Sequence, residues 1–182
     1  GLATAVRLAI RGESVTVFEK NNHTGGKLSA FQLGDYRFDR GPSLFTMPQY
    51  IDELFRLAGR NPKDYFQYQR LPNICNYFWE DGTRLQASAD QEQFAREVEK
   101  VLGVPAQKVL DSLKDSASKY ELTGSIFLEK SLHRWKTWWD KGVIKALLKI
   151  PQFDLFTTMH KVNHRMVNNA KMTQLLNRYA TY

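Results

Sequence analysis

Gly1-Leu-Ala-Thr-Ala-Val-Arg-Leu-Ala-Ile10, Ser14-Val-Thr-Val-Phe-Glu-Lys20 and Gly25-Gly-Lys27 lie in that order at the start of the chain. The first stretch is rich in small and aliphatic residues and predicts a helix over 2–11, with Gly12 as its C-terminal stop. The second, β-branched and uncharged, predicts a buried strand over 14–18 that ends in Glu19. Residues 20–27 then form a polar turn with a glycine doublet. A helix that opens on glycine, followed by a strand that ends in an acidic residue, matches part of a dinucleotide-binding βαβ unit. There the helix N-terminus faces a pyrophosphate and the acid accepts hydrogen bonds from a ribose. Gly1 fits the last glycine of that fingerprint, and Glu19 follows at close to the expected spacing. A glycine, a helix and a strand ending in Glu also occur in α/β proteins of other kinds. Gly25-Gly26-Lys27 adds weight, because a doublet without Cβ atoms lets the backbone approach a bulky anion beside a cation.

Working outward, short strands are expected near 28–33 and 36–38. Tyr36-Arg-Phe-Asp-Arg-Gly-Pro-Ser43 closes them with a tight turn at Gly41-Pro42, whose backbone is able to lie against a flat ring or to serve as an ordinary connector. Thr46 is the expected cap of a helix over about 47–58, with Pro48 in its first turn and Gly59 beyond it. Strands are expected over 66–70, 74–79 and 83–87, the last two joined by an Asp81-Gly82 turn. From Asp90 onward the pattern is helical, over about 91–102, 106–122, 132–149, 152–167 and 170–180. No internal repeat appears.

Composition narrows the classes. The 182 residues are 42% apolar and 25% charged, enough to bury a core. A single cysteine, Cys75, excludes an intramolecular disulfide and a Cys-based zinc site. No apolar run approaches the roughly 20 residues of a membrane span. The net charge of +7 is regional, since residues 130–182 hold ten basic and two acidic side chains. That segment interleaves Lys with Trp135, Trp138, Trp139, Ile144, Leu147, Leu148, Ile150, Phe153 and Phe156. Such a mixture suits helices 130–167 lying on an anionic membrane surface, or a solubilising helical face. No nucleic-acid-binding signature is present, so nucleic acid is not an expected partner. His160 and His164 are four apart, but Lys161-Val-Asn163 between them lacks the glutamate of a zincin motif, and no metal is expected. Arg134, Arg165 and Arg178 are possible electrostatic partners of a cofactor, with nothing to select one. No protein acid, base or nucleophile stands out as catalytic.

Taken together, these residues resemble the FAD-dependent amine-oxidase-like superfamily, and within it the bacterial-type carotenoid desaturases such as phytoene desaturase. The resemblance rests on residues 1–9, 15–20, 25–27 and 36–48. It continues through Ile51-Asp-Glu-Leu-Phe-Arg-Leu-Ala-Gly59 and Tyr77-Phe-Trp-Glu-Asp-Gly82 to looser stretches at Phe127-Leu-Glu, Leu132-His-Arg and Arg178-Tyr-Ala-Thr-Tyr182. It implies an α/β protein in two parts. Residues 1–65 would be part of a Rossmann-like FAD-binding domain whose first strand lies upstream. Residues 66–182 would begin a substrate domain, with a small sheet over 66–88 and helices over 90–182. It implies Gly1 close to the FAD pyrophosphate, Glu19 on the adenosine ribose, and Gly25, Gly26, Lys27 and Leu28 as a second phosphate motif. Gly41, Pro42 and Ser43 would sit on the flavin side, and Lys20, in the same matched stretch as Glu19, joins the cofactor-binding candidates.

The activity so implied is dehydrogenation of carbon–carbon bonds in a C40 carotenoid such as phytoene, with oxygen or a membrane quinone as electron acceptor. The expected location is cytoplasmic, peripheral to the membrane that holds the polyene. A carotenoid isomerase or a hydroxycarotenoid desaturase of the same superfamily is the alternative, and a non-catalytic membrane-binding fragment is an alternative of another class. Relatives of this kind extend beyond both ends of the chain. The 182-residue piece is therefore expected neither to hold FAD tightly nor to turn over.

Overall fold

The computed structural model describes residues 1–42 and 44–181, the last of these by its backbone alone. The chain divides into two compact units, Gly1–Gln69 and Arg70–Tyr182. Both are mixtures of helices and small antiparallel hairpins.

In the first unit, α1 (Leu2–Ile10) is built from strong helix formers and is left through Gly12, whose φ of +88° is a left-handed conformation that glycine adopts without a steric penalty. Residues 14–18, expected as a buried strand, form no ladder. Val17 and Phe18 are exposed, Phe18 by 92%. The Rossmann-like βαβ unit is thus not assembled among the described residues. A strand is a property of a pair, and a β-branched run with no neighbour to receive its N–H and C=O groups stays outside any sheet.

Strands β1 (Ser29–Leu33) and β2 (Tyr36–Arg40) form a hairpin around Gly34-Asp35, in register from Ser29 opposite Arg40 to Leu33 opposite Tyr36. Phe31 and Phe38 face each other across it, their rings stacked 5.3 Å apart. Helix α2 (Pro48–Leu57) begins at Met47, in a left-handed conformation, and not at Thr46; no side chain caps it. Pro48 at the first helical position disfavours right-handed geometry in the residue before it, so the entry turn displaces the expected cap. Arg7 of α1 and Glu53 of α2 pair at 3.0 Å. Residues 66–70, also expected as a strand, join no sheet. Phe66 and Tyr68 instead pack on Phe45, and Phe66 also on Phe55.

The second unit contains the core. Strands β3 (Asn73–Phe78) and β4 (Arg84–Ser88) are antiparallel about the Asp81-Gly82 turn. Leu85 and Ala87 alternate inward from β4 and meet α3 (Gln91–Leu102) and α4 (Ala106–Glu129). Asp90 caps α3 by accepting from the Gln93 N–H at 2.7 Å, and Gly103 closes it at φ +69°. Buried Leu85, Val98, Val104, Val109, Met172 and Leu175 form the contiguous centre. Helix α4 runs seven residues past its expected end at 122, to Glu129.

The single helix expected over 132–149 is two elements, a 3₁₀ turn over Trp135–Trp139 and α5 (Lys141–Leu148). Asp140 begins the second by accepting from the Gly142 N–H at 2.8 Å. The 152–167 segment likewise starts late. Asp154 is left-handed, and Thr158 caps α6 (Met159–Val167). Asn169 caps α7 (Ala170–Asn177), and a 3₁₀ turn follows over Arg178–Thr181.

Candidate cofactor site

The β1–β2 register brings two sequence motifs together. Ser29 lies opposite Arg40, so the residue pairs just outside the ladder are Leu28 with Gly41 and Lys27 with Pro42. Gly41 has a φ of +103°, and a Cβ placed there would fall 2.0 Å from the Lys27 carbonyl oxygen. No residue but glycine fits that contact. Gly25, at φ +105°, has a similar constraint: its Cβ would come 2.8 Å from the Leu28 carbonyl oxygen, in a turn closed by the Leu28 N–H donating to the Gly25 carbonyl at 3.1 Å. Gly26 is left-handed with open space beside it.

A cleft of about 410 Å³ results, lined by Asn21, His23, Gly26, Lys27, Ser29, Arg40 and Gly41. Two cations, a hydroxyl and stretches of backbone without Cβ atoms suit a diphosphate, whose oxygens accept hydrogen bonds. The residues present therefore fit the phosphate portion of a dinucleotide.

Of the expected site residues, Gly26, Lys27 and Gly41 line this cleft. Gly25 and Leu28 form the turn that shapes it, and Pro42 follows Gly41 directly. Glu19 and Lys20 are exposed and outside the lining. Glu19 Oε1 accepts from the Asn21 N–H at 2.9 Å and from the Asn21 side-chain amide at 2.8 Å. The Asn21 backbone N–H, first among these partners, holds the carboxyl below its usual range, so it is an anionic acceptor at neutral pH. Gly1 caps α1, its carbonyl accepting from the Ala5 N–H at 2.9 Å, and is likewise outside the lining. Ser43 lies outside the described residues. Asn21, His23, Ser29 and Arg40 were not expected in the site. For Ser29 and Arg40 the signal was available: opposite positions flanking a hairpin ladder share one end of it.

Two of the three candidate arginines have structural partners. Arg165 pairs with Asp154 at 3.0 Å, and Arg178 donates to Tyr77 Oη at 3.0 Å and to Cys75 Sγ at 3.1 Å. His160 and His164 stack 6.1 Å apart, and no cluster of three metal-ligating side chains occurs among the described residues. In the basic segment Trp135, Trp139, Leu148 and Phe156 are exposed by 71% or more. No helix among the described residues is long and apolar enough to cross a membrane.

Comparison with known proteins agrees with this chemistry. A 1-hydroxycarotenoid 3,4-desaturase of Flavobacterium sp. (strain P99-3) is 48% identical over the whole chain, which covers 37% of that protein. A 4,4'-diapolycopene oxygenase of Methylomonas sp is 34% identical over the whole chain, covering 36% of its own length. A 4,4'-diapophytoene desaturase (4,4'-diaponeurosporene-forming) of Staphylococcus haemolyticus (strain JCSC1435) is 28% identical over 97% of the chain and 34% of its own length. The chain thus spans about a third of the length of these curated relatives. The family model for flavin containing amine oxidoreductases matches residues 1–165. With that match over most of its length, the chain belongs to the flavin containing amine oxidoreductase family, whose cofactor is flavin.

Proposed function

We propose that the protein carrying this chain is an FAD-dependent desaturase that removes hydrogen across a carbon–carbon bond of a carotenoid. The observation that carries the reading is the glycine-built basic cleft at Lys27, Arg40 and Gly41, in a chain of a flavin-containing family. FAD held there supplies the acceptor for the hydride, with oxygen or a membrane quinone as the final electron acceptor. Lys27 and Arg40 meet the pyrophosphate charge, and Gly25, Gly26 and Gly41 let the backbone come within hydrogen-bond range of it. Glu19 accepts from the adenosine ribose through Oε2, since the Asn21 bonds fall on Oε1. Gly1 is the helix-side glycine of the fingerprint, Lys20 sits beside the ribose acid, Leu28 holds the phosphate turn, and Pro42 with Ser43 continues to the flavin side. In the whole protein, residues 14–18 pair into a Rossmann-like parallel sheet, residues 1–65 are part of the FAD-binding domain, and residues 66–182 begin the substrate domain.

Among carotenoids, the 48% identity to a 1-hydroxycarotenoid 3,4-desaturase favours a hydroxycarotenoid as substrate, with C40 phytoene as the second reading. Because that substrate dissolves in lipid, the protein works at a cytoplasmic membrane surface as a peripheral protein. The basic aromatic stretch 130–167 makes that contact. Each basic residue near an anionic surface contributes about 1 kcal/mol, and exposed Trp135, Trp139, Leu148 and Phe156 enter the interface.

The test uses the whole protein, expressed separately in cells that accumulate phytoene and in cells that accumulate a 1-hydroxylated carotenoid. Bound flavin with loss of hydrogen pairs from either pigment supports desaturation and names the substrate. A pigment of altered spectrum and unchanged mass makes the protein an isomerase. Flotation with anionic vesicles but no bound flavin leaves a membrane-binding protein without catalysis.

A further inference from the structure

Lys27 and Arg40 are not the only basic side chains of the cofactor cleft. His23, in the loop before the glycine doublet, lines it with them. Its Nδ1 lies 2.9 Å from Asn22 Oδ1. An amide oxygen only accepts, so Nδ1 carries the proton in that contact, and Nε2 is the ring nitrogen left for an occupant. In the neutral ring Nε2 holds a lone pair, which repels a phosphate oxygen. The imidazolium has an N–H on both nitrogens. Only that form keeps the Asn22 contact and donates to a phosphate at the same time. The charges around the ring come from three segments. Lys27 in the glycine turn and Arg40 at the end of β2 line the same cleft. Glu19 lies four residues before His23, and its carboxyl, held down first by the Asn21 N–H, also feels the His23 charge. Asp39, beside Arg40, is engaged by Arg37 at 2.8 Å.

We propose that His23 is a proton-dependent ligand of the cofactor diphosphate, its imidazole taking one proton from water as FAD binds and donating through Nε2–H to a phosphate oxygen. The inference rests on the flavin reading of the cleft and adds to it a residue outside both glycine motifs. Lys27 and Arg40 repel a third positive charge, while Glu19 and the two negative charges of a diphosphate attract it. Nothing is oxidised or reduced in the step: an N–H bond forms on Nε2 and water supplies the proton. The sign of the pH dependence follows. Binding favours the protonated ring, so the His23 contribution to FAD affinity is present at the acid side of the imidazole range and is lost as pH rises through it. One linked proton changes the affinity by at most about tenfold per pH unit. A cleft held by lysine and arginine alone has no such dependence near neutrality.

The test is made on the whole protein, freed of flavin and titrated with FAD by calorimetry at about pH 6 and about pH 8, either side of the ordinary imidazole range. FAD is a diphosphate diester and keeps both phosphate charges over that interval. Two buffers of different ionisation enthalpy count the protons taken up. Binding is expected to be about five- to tenfold tighter at the lower pH, with a net uptake of part of a proton per FAD. His23→Gln donates without a proton, so it should flatten this dependence and abolish the His23 share of the uptake. His23→Arg carries its charge at both values and should bind at the higher pH as tightly as the unaltered protein does at the lower. A purely structural role in the loop would weaken both variants equally at both pH values, and that result overturns the proposal. His23 is exposed, so both variants should fold, which circular dichroism checks; if His23→Arg does not, His23→Gln decides alone. FAD binding that is equally tight at both pH values, or a dependence that survives in His23→Gln, overturns the proposal and leaves the flavin reading standing. No FAD binding at either pH overturns both.

Discussion

The two units of the chain are built by different means. In residues 70–182, burial organises the structure: Ala95, Val98, Val109 and Met172 are completely covered, and helices from both ends of the unit share them. In residues 1–69, Pro62 is the one buried residue among those described. The geometry there comes from glycines at positive φ, a two-residue hairpin turn and a cluster of aromatic rings. A basic cleft can thus be shaped by turn chemistry with almost no core beneath it, whereas an apolar groove between α4 and α5 lies where a core holds its helices apart. The comparison also separates what a mutation does in each half, burial in one and backbone conformation in the other.

The largest effect tests the core. Met172→Ala should destabilise the 182-residue chain by about 2–5 kcal/mol, the range for emptying a fully buried site. Urea denaturation measures it, and a loss below about 1 kcal/mol would mean that burial does not dominate the second unit. Next, Gly41→Ala should cost about 1–3 kcal/mol in backbone strain, with the clash on the Lys27 carbonyl added, all of it confined to the hairpin. In the whole protein it should strip most of the flavin, read from absorbance per polypeptide. Gly26→Ala shares the left-handed backbone but has open space, so it should cost about 1–2 kcal/mol and retain more flavin than Gly41→Ala. Equal losses would show that the close Gly41–Lys27 approach is not what shapes the cleft.

A smaller effect concerns pH. The Lys171 ammonium, then the Thr83 hydroxyl, hold the Asp81 carboxyl down at about 2. The folded value lies below the ordinary 3.8, so this contribution is present above about 3.8 and is lost as pH falls through about 2. Lys171→Met should move the Asp81 midpoint, followed by NMR, back toward 3.8 and flatten the acid limb of the stability curve. An unmoved midpoint would show that Lys171 does not hold the hairpin turn. The smallest effect is expected at Phe18→Ala, 92% exposed in the first unit, which should change the stability of this chain by less than about 0.5 kcal/mol. A larger loss would reveal packing on residues 14–18 and weaken the contrast between the halves.

Local signals carried much of the reading. Gly12, Asp81-Gly82, Asp90 and Gly103 mark stops, turns and caps where the structure has them, because each acts within four residues. Asp140 and Thr158 carry the same kind of signal, but basic-aromatic periodicity over 132–149 and 152–167 hid them, and the helices were expected to start too early. The site was legible in part. Glycine-rich motifs at 25–27 and 41–42 were recognisable singly, but Arg40 and Ser29 belong to the cleft only through pairing across the ladder.

By itself, the sequence determined the family, the Asp81-Gly82 turn, the cap at Asp90, the helix stops at Gly12 and Gly103, and the chemistry available at each motif. These depend on residue type and short spacing. The tertiary structure alone decided that Gly41 meets Lys27, that residues 14–18 have no ladder partner among the described residues, and that α4 and α5 enclose a groove whose two polar side chains, Thr123 and Trp138, bond to the backbone. Each of these depends on which distant segment arrives alongside, a contact whose free energy comes from the packing of the whole unit and not from any short stretch of it.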